Sequence, residues 1–175
     1  QYENVNASAV TTITGTATAV NTAYASNSIN GLGNETIILT DTTLAAANLN
    51  TLDSNTTGLV NAGTVTTLTG TFAEIYTIYI SNIAATISGL GNENIIATGA
   101  LTIAQLNALA ANTTGIITAT ISNGDIATLE GITETGNALT ITVADSSVTA
   151  AALKAVNNAT TVNVIATAVT NITGS

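Results

Sequence analysis

Cysteine, histidine, proline, methionine, tryptophan and arginine are all missing from this chain of 175 residues. Without cysteine or histidine there is no disulfide framework, no thiolate nucleophile, no imidazole base and no soft metal site. The groups left for chemistry are carboxylates, hydroxyls, amides and one amine, Lys154. That lysine stands alone against ten carboxylates, a formal net charge of −9. Nucleic acid is therefore excluded as a partner, because gripping phosphates takes clustered cations. No apolar run approaches the roughly 20 residues that a helix needs to span a bilayer. A chain with neither Cys nor Met offers nothing to sulfur oxidation, and one lysine offers trypsin-like proteases a single site; both suit life outside a cell. The chain opens on Gln1 with no basic-then-apolar leader and reads as a mature product or an excerpt of something longer.

Threonine (37 copies), alanine (30) and asparagine (21) make up half of the chain, so β-branched, small and turn-forming side chains must carry the fold. Low hydrophobicity is the hallmark of disorder. Here 46% of residues are apolar, with Ile, Leu and Val throughout, which points to a folded chain. The acids are dispersed, with no acidic tail, and favour solubility.

Self-similarity organises the sequence. Val10-Thr11-Thr12-Ile13-Thr14-Gly15 returns as Val65-Thr66-Thr67-Leu68-Thr69-Gly70, and again near the end as Val169-Thr170-Asn171-Ile172-Thr173-Gly174. A diverged copy, Ile126-Ala127-Thr128-Leu129-Glu130-Gly131, falls between the last two, so that interval holds two units and the mean period is about 53 residues. A second marker, Gly31-Leu32-Gly33-Asn34-Glu35, recurs as Gly89-Leu90-Gly91-Asn92-Glu93, with a remnant at Gly136-Asn137. A third, Leu49-Asn-Thr-Leu-Asp-Ser-Asn-Thr-Thr-Gly58, recurs from Leu106 to Gly115 and more loosely from Leu153 to Val162.

Each unit then reads strand, helix, strand, helix. Phe72, Ile75, Tyr79, Ile83 and Ile87 lie at helical spacing, mirrored by Ala17, Val20 and Tyr24, and put Tyr76 and Tyr79 with Phe72 on a buried helix face. The glycine pair is expected to end that helix through positive φ. Short β-rich runs follow at residues 37–40, 95–98 and 139–143. Asp41 and Asp145 stand where they would cap the second helix, in which Leu49/Leu52, Leu106/Leu109 and Leu153/Val156 keep a spacing of three. In the third unit only a few positions separate Gly131 from Gly136, which reads as deletion of the first helix. The expected fold is an α/β repeat solenoid with a parallel β spine and short crossover helices. It forms a single domain with about three units, residues 5–59, 60–115 and 116–161, and the start of a fourth at 162–175.

In these markers the chain resembles the Ala/Thr-rich tandem repeats of very large secreted and cell-surface bacterial proteins, especially cyanobacterial ones. The matching residues are Val65-Thr66-Thr67-Leu68-Thr69-Gly70, Gly89-Leu90-Gly91-Asn92-Glu93 and residues 49–58. The resemblance implies an extracellular, repetitive protein of structural or adhesive role and carries no catalytic residues across.

Calcium is the one cofactor the residues bring forward, with Glu35, Glu93, Asp41 and Asp145 as its weak candidate ligands. Hard-cation sites recruit several carboxylates and each glycine motif offers one, so a plain turn is the favoured reading. Thr-x-Thr elements invite an ice-binding surface, against which stands the ordinary β-propensity of threonine. Lys154 is expected to be solvated. The first and last stretches occupy the same phase of the repeat and neither carries a polar cap. The expected function is that of a structural segment or subunit of an extracellular fibre or surface layer, not an enzyme, whose partners are flanking repeats or copies of itself, head to tail. The alternatives are a calcium-dependent adhesin module and an ice-binding solenoid.

Overall fold

A computed structural model describes residues 4–174. The chain is α/β, with short helices and parallel strands gathered into several open sheets. It divides into two compact units, Gln1–Glu93 and Asn94–Ser175.

The first unit runs β1 (Val5–Asn6), β2 (Thr12–Gly15), α1 (Ala17–Tyr24), β3 (Ile29–Asn30), β4 (Thr36–Leu39), β5 (Thr43–Ala45), α2 (Ala46–Asn55), β6 (Val60–Asn61), β7 (Thr67–Gly70), α3 (Phe72–Ile83) and β8 (Ile87–Ser88). Strands β2, β4, β6 and β8 lie side by side in that order; β1 pairs with β3 and β5 with β7, all parallel. Val5 is matched with Ile29, Thr12 with Thr36, Ile37 with Val60 and Thr43 with Thr67. Parallel partners that close in sequence require the chain to leave the sheet, cross over and return in the same direction. Helices α1, α2 and α3 make those crossovers and pack on one another in sequence order. Ile37, Leu39, Leu49, Leu52, Val60, Leu68, Ile75, Ile78, Tyr79 and Ile87 form the buried core.

Asparagine joins the helices. Asn21 Nδ2 donates to the carbonyl of Asn48 at 2.9 Å, and Asn50 Nδ2 donates to the carbonyl of Glu74 at the same distance. Glycine lets successive passes of the chain approach. A Cβ on Gly58 would collide with the Glu35 carbonyl oxygen, and one on Gly31, whose φ is +89°, would fall 2.8 Å from the Ser8 backbone nitrogen. Threonine starts the helices: Thr16 caps α1, and Thr71 with Glu74 forms a capping box on α3.

The second unit runs β9 (Asn94–Leu101), α4 (Ile103–Ala110), β10 (Ile117–Ile121), α5 (Ile126–Leu129), β11 (Ala138–Thr140), β12 (Ser147–Thr149), α6 (Ala150–Asn158) and β13 (Asn171–Thr173). Here β10 pairs in parallel with β9 and β11, and β12 with β13. Ile95 is matched with Ile117, Thr118 with Ala138 and Ser147 with Asn171, so the chain returns at intervals like those of the first unit.

Several sequence expectations change. Residues 126–131 are not a diverged strand. Asp125 Oδ1 accepts the Thr128 backbone N–H at 2.8 Å, and this cap winds Ile126–Leu129 into the single turn of α5. A single helical turn thus stands where a strand followed by a deleted helix is expected. The glycine pairs do not end helices either. Helix α1 stops at Tyr24 and α3 at Ile83, each followed by an alanine in right-handed conformation, so Ile87, expected on the helix, lies instead in β8 beside Val60, and the glycines come only after β3 and β8. Tyr79 is buried as expected, but Tyr76 stacks on Phe72 on the outside, ring centroids 5.2 Å apart.

Candidate functional site

Asp41 and Asp145 do cap helices, though not the ones that follow them. Asp41 Oδ2 accepts the backbone N–H of Ala17 at 2.8 Å, and Asp145 Oδ2 accepts that of Ile126 at 2.7 Å. Each acid therefore closes the start of a helix on the preceding pass of the chain. Asn123 does the same for α4, accepting from Ile103 at 3.1 Å. The free N–H groups of a first helical turn attract an oxygen acceptor, and an anion most of all. Here the next pass of the chain delivers it. Helix α6 takes its cap from Thr149, while α2 begins at Ala45 with no side-chain cap at all. A cap supplied by a distant pass of the chain has no local signature, which is why the sequence points to the wrong helix.

Glu35 and Glu93 occupy matching positions in the two full glycine motifs, and both are buried. The Tyr24 hydroxyl donates to Glu35 Oε2 at 2.7 Å, and the Gly33 backbone N–H reaches both carboxylate oxygens at 2.9 and 3.1 Å. Around Glu93 the Tyr79 hydroxyl donates to Oε1, while the N–H groups of Gly91 and Asn92 reach Oε2 at 2.7 and 3.1 Å. Burial pushes the Glu35 carboxyl up, but the Tyr24 hydroxyl and the backbone N–H groups outweigh it and leave it below its ordinary value of 4.5. Burial first, and then the bond to Glu35, push the Tyr24 phenol up to about 12. The tyrosine thus keeps its proton and the glutamate its charge, a fixed donor and acceptor that hold the glycine turn to the preceding helix.

This chemistry differs from that of a calcium site. The carboxylate lone pairs are met by O–H and N–H donors, whereas a hard cation takes six to eight oxygens. Among the described residues no group of three or more acidic, histidine or cysteine side chains gathers to hold a metal ion. Glu35, Glu93, Asp41 and Asp145 each have their own helix or turn to serve.

The feature with the greatest unspent potential is an apolar groove of about 430 Å³ beside α6, lined by Ala150, Leu153, Lys154, Asn157, Val164, Ala166 and Ile172. Its floor is made of residues whose sequence counterparts in the first unit are core. Val60, Ala62 and Leu68 are fully buried, while Val164 and Ala166 are half-buried and Ile172 is 56% exposed. Leu49 is fully buried, and its counterpart Leu153 is half-buried at the groove. Lys154, exposed as expected, stands at this groove. Residue-type reasoning passes over the groove, although the shared repeat phase of residues 60–70 and 164–174 holds the clue. Compared with protein-family models, with curated proteins and with solved structures, the chain matches none.

Proposed function

We propose that this chain is a structural repeat segment or subunit of an extracellular fibre or surface layer, built as a solenoid whose coils continue end to end. The groove beside α6 carries the reading. It presents core-type residues that are half-buried or exposed, whereas the matching residues of the Gln1–Glu93 unit are fully buried. The solenoid is supported by the chain's return after about 20 to 27 residues in each parallel pair, two returns to each sequence period.

Near the chain's beginning Val5 is 58% exposed although its counterpart Val60 is fully buried. If joining two such ends removes about 300 Å² of apolar surface from water, it contributes on the order of 7 kcal/mol before the entropy of association is subtracted. The contact is heterologous, one end against the other, and so does not close on itself. In a longer chain the next coil would serve the same purpose covalently. The composition, the scattered acids and the resemblance to giant bacterial surface proteins all favour a place outside the cell. Electron microscopy of concentrated protein tests the proposal: rods of uniform width and variable length are expected, and a field of single particles would refute noncovalent assembly.

A further inference from the structure

The repeat marker that begins at Leu49, Leu106 and Leu153 puts one position to the same use twice. Asn50, next to Leu49 on α2, donates through Nδ2 to the Glu74 carbonyl of α3 at 2.9 Å. Asn107, next to Leu106 on α4, donates to the Gly131 carbonyl just beyond α5 at 3.1 Å. Both Oδ1 atoms are shut away from solvent, so the following pass of the chain closes over this position. The third occupant, next to Leu153 on α6, is Lys154, the only cation of the sequence, and it is exposed at the edge of the apolar groove. An ammonium has donors for a carbonyl just as the amides do. What Lys154 lacks is the helix that should offer one, since none follows β13 among the described residues.

Helix α1 has the complementary gap: it packs on α2, and no helix precedes it among the described residues. Counted from the repeated Val10 and Val65, Ala19 of α1 stands where Glu74 stands on α3, and Ala23 where Ile78 stands. The caps confirm the equivalence, because Thr16 Oγ1 accepts the Ala19 N–H and Thr71 Oγ1 accepts that of Glu74. On α3 this side is occupied: Ile78 is fully buried and the Glu74 carbonyl is met by Asn50. On α1 the same side is open, with Ala19 exposed and Ala23 half-buried. Two alanines also make a flat face that can lie close on Ala150 and Leu153 of the groove. The spacing of the layers permits the join. Neighbouring strands lie about 4.8 Å apart and packed helices about 8–10 Å, so two strand passes span one helix-to-helix step. With β2 of one copy laid beside β13 of another, α1 comes to rest directly on α6.

We infer that α1 of a second copy of this chain fills the groove beside α6, with Lys154 Nζ donating to its Ala19 carbonyl as Asn50 donates to that of Glu74. The inference rests on the end-to-end reading and names the two surfaces that meet. Sedimentation velocity of the full chain and its variants at high concentration tests it, with circular dichroism to check the fold. Lys154→Asn, which restores the residue of the other two helices, should assemble like the native chain. Lys154→Glu sets a carboxylate against the Ala19 carbonyl and should weaken association about tenfold or more, as should Ala19→Lys, which sets a second cation beside Lys154. Lys154→Glu and Ala19→Lys combined should recover most of the native association. A native chain that stays monomeric would overturn the inference together with noncovalent end-to-end assembly. Larger species that form equally well in Lys154→Glu and Ala19→Lys, a combined variant no better than either alone, or a Lys154→Asn variant that no longer assembles would overturn the pairing of α1 with α6 and leave end-to-end assembly standing.

Discussion

Residues 60–70 and 164–174 share the pattern Val-x-Ala-x-x-Val-Thr-x-Leu/Ile-Thr-Gly, yet they live in different surroundings. In the first, Val60, Ala62, Val65 and Leu68 are shut away from solvent; in the second, Val164, Ala166 and Val169 are half-buried and Ile172 is mostly exposed. The strand register is nevertheless the same. Thr43, Leu44 and Ala45 of β5 face Thr67, Leu68 and Thr69, just as Ser147, Val148 and Thr149 of β12 face Asn171, Ile172 and Thr173. Backbone pairing is therefore equivalent at the two places, and the difference lies in whether another pass of the chain covers the side chains. A core residue in this protein is defined by its successor.

The comparison breaks most visibly at its centre. Leu68→Ala should cost about 2–5 kcal/mol, the usual loss for emptying a buried leucine site. Ile172→Ala, at a largely exposed position, should change the stability of the isolated chain by less than about 0.5 kcal/mol. Urea unfolding of the two variants in dilute solution measures both, and equal losses would mean that the terminal residues are as well packed as the central ones.

The clasp gives the next effect. Tyr24→Phe removes the hydroxyl donated to a buried carboxylate and should cost about 1.5–3 kcal/mol at neutral pH. The pH dependence follows from two opposite shifts. Glu35 is held below 4.5, so its contribution is complete above that value and fades as pH falls through the lower, folded one. Tyr24 is raised from 10.0 to about 12, so its contribution is complete below 10 and is lost as pH rises through 12. In Tyr24→Phe the acid unfolding midpoint should move to higher pH, and the phenolate absorbance wave near pH 12 should lose one group.

Close approach comes third. Gly58→Ala drives a methyl into the Glu35 carbonyl and should cost about 1–3 kcal/mol, whereas Gly174→Ala, with nothing within 4 Å, should be silent. Thermal unfolding resolves the two. The smallest effect is a gain: Ala45→Ser provides α2 with the side-chain cap it lacks and should add about 0.5–1 kcal/mol.

Much of this is legible in the sequence, and the reason is physical. Helical spacing and Thr-x-x-Glu or Thr-x-x-Gln signatures depend on residues a few positions apart, and so α3 and α4, with their capping boxes at Thr71 and Thr102, follow from local pattern. The strands β2, β7 and β13 lie within the three Val-Thr-x-Ile/Leu-Thr-Gly copies for the same reason. What escapes is whatever one pass of the chain does for another. Asp41 reaches back to α1, Glu35 is met by Tyr24 across the glycine turn, and Gly58 makes room for Glu35 rather than for its own turn. Residues 126–131 mislead because their apolar spacing fits a strand marker, while the single side chain of Asp125 decides for a helix.

End-to-end continuation is tested most directly by sedimentation velocity on the native chain and on Ile172→Asp across a wide concentration range. The native chain should shift steadily to larger species without settling at one size, and Ile172→Asp should stay monomeric with an unchanged circular dichroism spectrum. A native chain that remains a monomer throughout, or an Ile172→Asp variant that assembles equally well, would contradict it.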